Sequence, residues 1–329
     1  MDAGTRRDVS WHGDLLVPQG KDVTRLASLT AAQTARLTGM DPLLPPVAHP
    51  PDGEVITAAL PSGERVAGVL ARTHLTPELP PSLWSALDVF ELHPLLGAHG
   101  GDAFDALVPR WRNLVEMMRP GADSSCVVFW PSRDAEVTKS LLHHGFVPLS
   151  VIAVRGREPG DEPPPGVTIR RATERDIDTV LHLAMVELAY SAQVGGTVLR
   201  PGAARIKRDA LIPRLAAGDP MWLAERDGVA IGLAECWLTE SEPGSWTATR
   251  LPVGSWGYVN CLSVLPDARG AGVGQALMSV AHNEMHRRGV RGTFLYYNPP
   301  NPLSSVFWAR QGYRPLWTVW EVRPATALR

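Results

Sequence analysis

The run Arg269-Gly270-Ala271-Gly272-Val273-Gly274 follows an apolar stretch ending at Val264 and leads into a helix-patterned one, "GQALMSVAHNEM". A glycine-rich turn between a strand and the first turn of a helix presents unpaired backbone N–H groups and the positive end of the helix dipole. That combination suits a phosphate or pyrophosphate, and Arg269 adds a positive charge beside it. Gly270, Gly272 and Gly274 let the main chain approach where a Cβ would hold the ligand off. Two other phosphate signatures are excluded by the neighbouring residues. A P-loop needs Gly-Lys-Ser/Thr, but Gln275 and Ala276 follow Gly274. A dinucleotide fingerprint needs a third glycine where Gln275 stands, and belongs after the first strand of a parallel unit.

The elements that must position this turn are legible around it. "VTIRRAT" (167–173) alternates as a strand, and Thr173 with Asp176 makes a helix cap. Ile177, Val180, Leu181, Ala184 and Leu188 then line one face of a helix, and Pro201 opens a second. "MWLAERDGVAIGLAECWL" reads as two strands about Asp227-Gly228. A polar excursion leads to the strand "WGYVNCLSV" (256–264), then the glycine turn and its helix, the strand "TFLYYN", a short helix from Pro302 and the strand "LWTVWEV". The order is β-α-α-β-β-β-α-β-α-β, an α/β (α+β) arrangement with a sheet of mixed direction. The proline-rich, acidic "GREPGDEPPPG" (156–166) is a linker that divides the chain into 1–160 and 161–329. The pattern of 125–155 returns in 293–323 as strand, turn, short helix, Gly-aromatic stop and strand, with Gly145-Phe146 answering Gly312-Tyr313. Two tandem copies of one fold are expected.

Composition sets limits. The chain has 329 residues, 44% hydrophobic and 20% charged, with formal net charge −2, ordinary for a globular protein and unsuited to a nucleic-acid surface. No run approaches a membrane span, and the N-terminal residues lack the apolar core of a secretory signal, so a cytoplasmic protein is expected. Cys126, Cys236 and Cys261 have no paired ligand spacing, so neither a metal site nor a disulfide framework is expected.

"LSVLPDARGAGVGQAL" resembles the pyrophosphate-binding motif of the GNAT superfamily of N-acetyltransferases, whose core, Arg/Gln-x-x-Gly-x-Gly/Ala, falls on Arg269, Gly272 and Gly274. The family's later pattern, Asn-x-x-Ala-x-x-apolar-Tyr ending in Gly-Phe, is similar to "NPLSSVFWARQGY" (301–313). The resemblance covers about 167–322 and shares the element order. It implies a site for acetyl-coenzyme A. Leu262, Ser263 and Val264 would offer backbone groups to the pantetheine arm. The amides of Arg269, Gly270, Ala271, Gly272, Val273 and Gly274 would hold the pyrophosphate, with Asn301 and Ser304 near the arm or thioester. It also implies two central parallel strands that splay apart around the arm.

Transfer to an amine needs a base, and thiol departure is eased by an acid. The family's usual acid, a tyrosine, is replaced by Trp308, whose indole is a donor but not an acid. Tyr258, Tyr296 and Tyr297 are the tyrosines nearest by strand position, and an unassisted thiolate is the other route. Glu235 is the first candidate base and Glu187 the second, while Asn260, two residues from Tyr258 and so on its face of a regular strand, would hold a water. Trp246, in a polar loop, is a candidate wall of the acceptor pocket, and His182, His282 and His286 are expected to face solvent.

The first half keeps Gly97, Gly100 and Gly101 near the matching turn but loses the arginine, and Asp102 and Asp105 oppose a pyrophosphate. Asp134 stands at the asparagine position and Leu141 at the tyrosine position. This half is expected to keep the fold, bind no cofactor and shape the acceptor cleft. The whole reads as an acetyl-CoA-dependent N-acetyltransferase acting by direct attack on a primary amine of a small molecule or peptide, as monomer or homodimer. The alternatives are a coenzyme A-binding sensor or scaffold without turnover, and transfer of a longer acyl group.

Overall fold

In the computed structural model, which describes residues 20–329 and side chains from Leu26 onward, the first half runs α1 (Gly20–Met40), β1 (Glu54–Ala59), β2 (Arg65–His74), β3 (Asp88–Leu95), α2 (Gly101–Met118), β4 (Ser124–Pro131), α3 (Ala135–His143) and β5 (Val147–Gly156). The second runs β6 (Thr168–Arg171), α4 (Ile177–Gln193), α5 (Ala203–Ala216), β7 (Met221–Arg226), β8 (Val229–Ser241), β9 (Gly254–Val264), α6 (Val273–Arg287), β10 (Gly292–Tyr297), α7 (Ser305–Arg310) and β11 (Arg314–Val322). The second half has the order read from sequence. Its capping box at Thr173 and Asp176 is present, and Asp227 and Gly228 turn the β7–β8 hairpin with φ of 52° and 76°.

The strands form one 11-stranded sheet in the order β1-β2-β3-β4-β11-β5-β10-β9-β8-β7-β6. Only β3–β4 and β9–β10 pair in parallel; the other neighbours are antiparallel. The halves exchange their last strands. β5, closing the first half, pairs with β10, while β11, closing the second, pairs with β4, and β5 and β11 pair with each other at the centre. The expected sheet of each half is therefore completed by the other's chain. An exchanged strand keeps the local sequence pattern of an unexchanged one, so alternation alone does not reveal it.

Two-sided burial holds the second half together. α6 lays Leu277, Met278, Ala281 and Met285 against Ala234, Cys236, Val259 and Leu295. On the opposite face, Val180, Leu183 and Ala184 of α4 and Leu211 of α5 meet Leu223, Leu233 and Cys261. In the first half α2 buries Phe104, Leu107 and Trp111 among Phe90, Val128 and Phe146. The linker lies along α6: Gly160 N–H donates to Asn283 Oδ1 at 3.1 Å, the Ser279 hydroxyl donates to the Asp161 carbonyl, and Pro164 reaches Gly272. His282 overturns its solvent-facing expectation. It is buried on α6, 3.0 Å from the Tyr313 hydroxyl, and burial, reinforced by Arg155, lowers its pKa to about 3.

Candidate active site

Parallel pairing of β9 with β10 covers Trp256–Val259 against Gly292–Leu295 and then stops, although β9 continues to Val264 and β10 to Tyr297. On its other side β9 carries a bulge. Glu235 stands opposite Cys261 and Cys236 opposite Val259, leaving Asn260 as the extra residue. A bulge bends its strand and frees backbone groups from the ladder, and this one sits where the strands part. It also interrupts the strict alternation from which Asn260 was expected to share Tyr258's face. With one residue inserted, Cys261 takes that side, packing with Leu233 toward α4 and α5.

Past Val264 the chain turns through Pro266–Ala268 into the glycine run. Gly270 and Gly272 both have φ of 77°, in the left-handed region open to glycine at little cost, and Gly272 caps α6. Gly274 answers to packing, since a Cβ there would stand 3.3 Å from the Phe307 ring. The first amides of α6 thus emerge beside the parted strands with the positive end of the helix dipole behind them. Arg269 is exposed; its Nε–H donates to the Val264 carbonyl at 3.1 Å, and its guanidinium lies 5.1 Å from the Tyr190 ring centre on α4. It spans from the turn to the opposite wall of the groove.

The side chains proposed for chemistry are distributed around this opening. Glu235 is buried, its carboxylate 3.7 Å from the Lys207 ammonium on α5, and Oε2 has no hydrogen-bond partner. Burial works against the Lys207 ammonium, but Glu235 outweighs it, with help from Cys261 and Glu187, and holds its pKa above the usual lysine value. Glu187 on α4 lies beside this pair, half-buried, accepting from the Ser191 hydroxyl at 2.5 Å, and desolvation raises its carboxyl pKa. Tyr258 stands 4.6 Å edge-on to Trp237 and 4.7 Å stacked on Phe294, and burial raises its phenol well above the usual value. Tyr297 lies on the other face with Phe307 and Trp308, half-buried, its phenol also raised by burial. Tyr258 and Tyr297 therefore flank the opening from opposite sides.

Asn301 and Ser304 close the β10–α7 turn on itself. Asn301 Oδ1 accepts from the Leu303 N–H at 2.9 Å, and the Ser304 hydroxyl is within 3.3 Å of the Asn298 carbonyl and 3.2 Å of the Asn301 carbonyl. Trp308 is buried between Phe307 and Tyr313, with ring centroids 4.9 and 5.4 Å away. Leu262 and Val264 lie half-buried on the parted stretch of β9, and Ser263 between them is buried with no partner for its hydroxyl.

Residues 217–315, which contain the bulge, the parted strands and the glycine turn, match the family model for an acetyltransferase (GNAT) domain. The GNAT match falls wholly within the second half. The matching domain is that of acetyltransferases that use acetyl-CoA. The chain is 34% identical over 91 residues to a mycothiol acetyltransferase of Cellulomonas flavigena, which covers 28% of this chain and 25% of that protein, so the match spans about a quarter of that relative. A GCN5-related N-acetyltransferase structure from Sphaerobacter thermophilus superposes with a TM-score of 0.57 at 14% identity, covering 92% of each chain. That likeness extends the shared fold across both halves.

Sequence reading passed over two groups. Lys207 stands between Ala203 and Leu211 at four-residue steps on the apolar face of α5, a charge on a buried stripe that the helical pattern would have flagged. Glu91, Phe129 and Arg250 meet where the halves join, and only the fold brings them together.

Proposed function

We propose that the second half transfers acetyl from acetyl-CoA to a primary amine by direct attack in a ternary complex. The observation that carries this reading is the coincidence of three features: parted parallel strands, a bulge at the parting, and a helix N-terminus opened by left-handed glycines beside it. These residues fit the cofactor. Amides from Arg269 to Gly274 hold the pyrophosphate, and the backbone of Leu262, Ser263 and Val264 holds the pantetheine arm. Bound there, acetyl-CoA supplies an activated acyl group, and the backbone N–H groups freed at Asn260 are donors for developing charge on its carbonyl oxygen.

The acceptor amine must be neutral to attack, and Glu187 is the base this arrangement favours over Glu235. Glu235 is committed as counter-ion to Lys207, whereas Glu187 is half-buried with a raised pKa, closer to the pH at which a base works best. Glu187 takes the ammonium proton on a carboxylate oxygen, and Tyr258 borders the acceptor side. Tyr297, on the α7 face where Trp308 offers no acid, holds the phenolic proton available to a departing thiolate. The match to an acetyltransferase domain does not favour the sensor alternative.

The test is free-thiol release from acetyl-CoA over a panel of amines, with coenzyme A binding measured by calorimetry. One site per chain and amine-dependent release are expected. Binding without release under any amine would sink the catalytic reading and leave the cofactor site standing.

A further inference from the structure

The loop between β8 and β9 carries Trp246 and Arg250 onto the face of the sheet where the two halves meet. There the Arg250 guanidinium lies 4.4 Å from the Phe129 ring centre and 5.8 Å from that of Trp246, and Trp246 stacks 6.5 Å from Tyr296. Tyr296 is the residue after Leu295, the last on β10 to pair with β9, so this seam adjoins the point where the strands part. Glu91 reaches the seam from the first half. Its Oε1 is 3.7 Å from Arg250 Nη2 and 3.4 Å from His93 Nε2.

The pair is oppositely charged yet loosely joined. A separation of 3.7 Å is too long for a hydrogen bond. Among the described residues Arg250 donates to one acceptor, the Thr249 carbonyl at 3.2 Å from Nη1, and its Nε–H is buried with no partner. A guanidinium stacked on aromatic faces keeps its donors edge-on, in the planar fork that matches a carboxylate. His93 does not neutralise Glu91: desolvation and then Arg250 lower its pKa to about 4, so it is uncharged at neutral pH. Burial raises the Glu91 carboxyl while Arg250 opposes that rise, and the Glu91 side chain retains 26% of its exposure, so it is reachable. Trp246, 51% exposed, forms the outer wall.

We propose that this seam binds the head group of a zwitterionic α-amino acid, its carboxylate on Arg250 and its α-ammonium on Glu91, so that a second amine at the far end of the molecule is the one acetylated. The inference rests on the acetyltransferase reading and adds the acceptor class. A peptide offers the two charges of a free amino acid at opposite termini, so the seam selects the free molecule. The first half contributes Glu91 and Phe129, which gives it a part in recognition without a cofactor of its own.

The experiment compares L-lysine and L-ornithine with cadaverine and putrescine, which have the same amine spacing without the carboxylate, and with L-lysinamide. Thiol release gives kcat/KM, mass spectrometry locates the acetyl group, and tryptophan fluorescence of the coenzyme A-saturated protein reads binding without turnover. An amino-acid to diamine preference of at least about tenfold is expected, with the acetyl on the distal nitrogen. Arg250→Gln should collapse that ratio toward one and Arg250→Lys should restore part of it; thermal melts show whether each variant folds. Equal use or equal binding of lysine, lysinamide and cadaverine, acetylation of the α-nitrogen, or an unchanged ratio in Arg250→Gln would overturn the proposal. Loss of coenzyme A binding in calorimetry would instead indict the cofactor reading, and the same fluorescence titration of the free protein would still score the seam.

Discussion

The molecule contains two grooves of the same design, and they differ in what fills them. In the second half β9 and β10 part after Val259 and Leu295; in the first, β3 and β4 part after Glu91 and Val127. Each opening is followed by glycines and a helix. In the first half, however, α1 occupies the opening. Gln33 is buried there, its Nε2 donating to the Pro94 carbonyl at 3.0 Å and its Oε1 accepting from the Leu96 N–H at 2.6 Å. Those backbone groups lie three and five residues past the last parallel pair, as Leu262 and Val264 do in the second half. A side-chain amide thus makes the bonds to the strand that the arm of the cofactor is proposed to make opposite. Arg36 of the same helix meets Asp134 at 2.8 Å, the residue at the position of Asn301.

The turn is altered in charge as well as in occupancy. The Glu136 carboxylate lies against Gly100, and the cavity of about 740 Å³ at the start of α2 is bordered by Glu64, Asp102, Asp105 and Glu136 with Lys139 as its lysine. A helix N-terminus attracts anions only while its neighbourhood is not already anionic. Topology is therefore shared between the halves, while charge and occupancy distinguish the turn proposed to take a pyrophosphate from its counterpart.

The largest expected effect separates the grooves by chemistry. Glu187 comes from α4, a helix with no counterpart filling that role in the first half. Glu187→Gln should lower kcat by roughly 10²–10⁴ while coenzyme A affinity stays the same. Because the Glu187 carboxyl is raised by desolvation and the base must be ionised, wild-type activity should climb as pH rises through that raised value, and the variant should lose that limb. A variant that keeps both rate and pH limb would remove Glu187 from the mechanism.

Gln33→Leu attacks the occupied groove. It strands the Pro94 carbonyl and the Leu96 N–H, and leaving two buried backbone groups unpaired should cost roughly 2–4 kcal/mol, read as a lower melting temperature. Calorimetry should still find one coenzyme A site per chain, because the acidic turn persists. Two sites would show that the helix alone closes the first groove. The converse change, Arg269→Glu, gives the second-half turn, proposed to hold the pyrophosphate, the acidic character of the first-half one. Coenzyme A binding should weaken by about 1.5–3 kcal/mol with little change in stability, since Arg269 is exposed. Undiminished affinity would break the assignment of the turn.

Much of this contrast was readable from residues alone. The glycine run, the second-half element order, the Asp227-Gly228 hairpin and the acids near Gly100 each rest on local chemistry that neighbours in sequence supply. The occupant of the first groove was not readable, because Gln33 meets Pro94 and Leu96 across more than sixty residues. The bulge at Asn260 carries no glycine to mark it, so regular alternation does not show where the pairing of β9 slips. The pairing of β5 with β10 and the meeting of Glu91 with Arg250 depend on strand exchange, which moves partners without changing any strand's own pattern.

The smallest effect concerns how the second groove is walled. One helix, α1, serves the first opening, whereas α4 and α5 bring Glu187 and Lys207 to the second, and α4 is anchored at its start by Asp176. That carboxylate accepts from Arg170 Nη2 at 2.7 Å and from the Thr173 N–H at 2.8 Å, while Arg170 also donates to Glu225 at 2.8 Å, tying the helix start to β6 and β7. The Arg170 hydrogen bonds, against the opposing effect of burial and with help from Thr173, lower its pKa from 3.8 to about 2. A depressed carboxylate stabilises the fold above its unfolded pKa, and that contribution is lost as pH falls from about 4 toward 2. Asp176→Asn should therefore cost about 1–2 kcal/mol at pH 7, with the gap between variant and wild type closing as the solution is taken to pH 2. Coenzyme A affinity should hold, since the glycine turn hangs from β9 and α6. If affinity falls with stability, the wall and the turn are one cooperative unit, and the second groove owes its openness to the helices that flank it as much as to the charge at its turn.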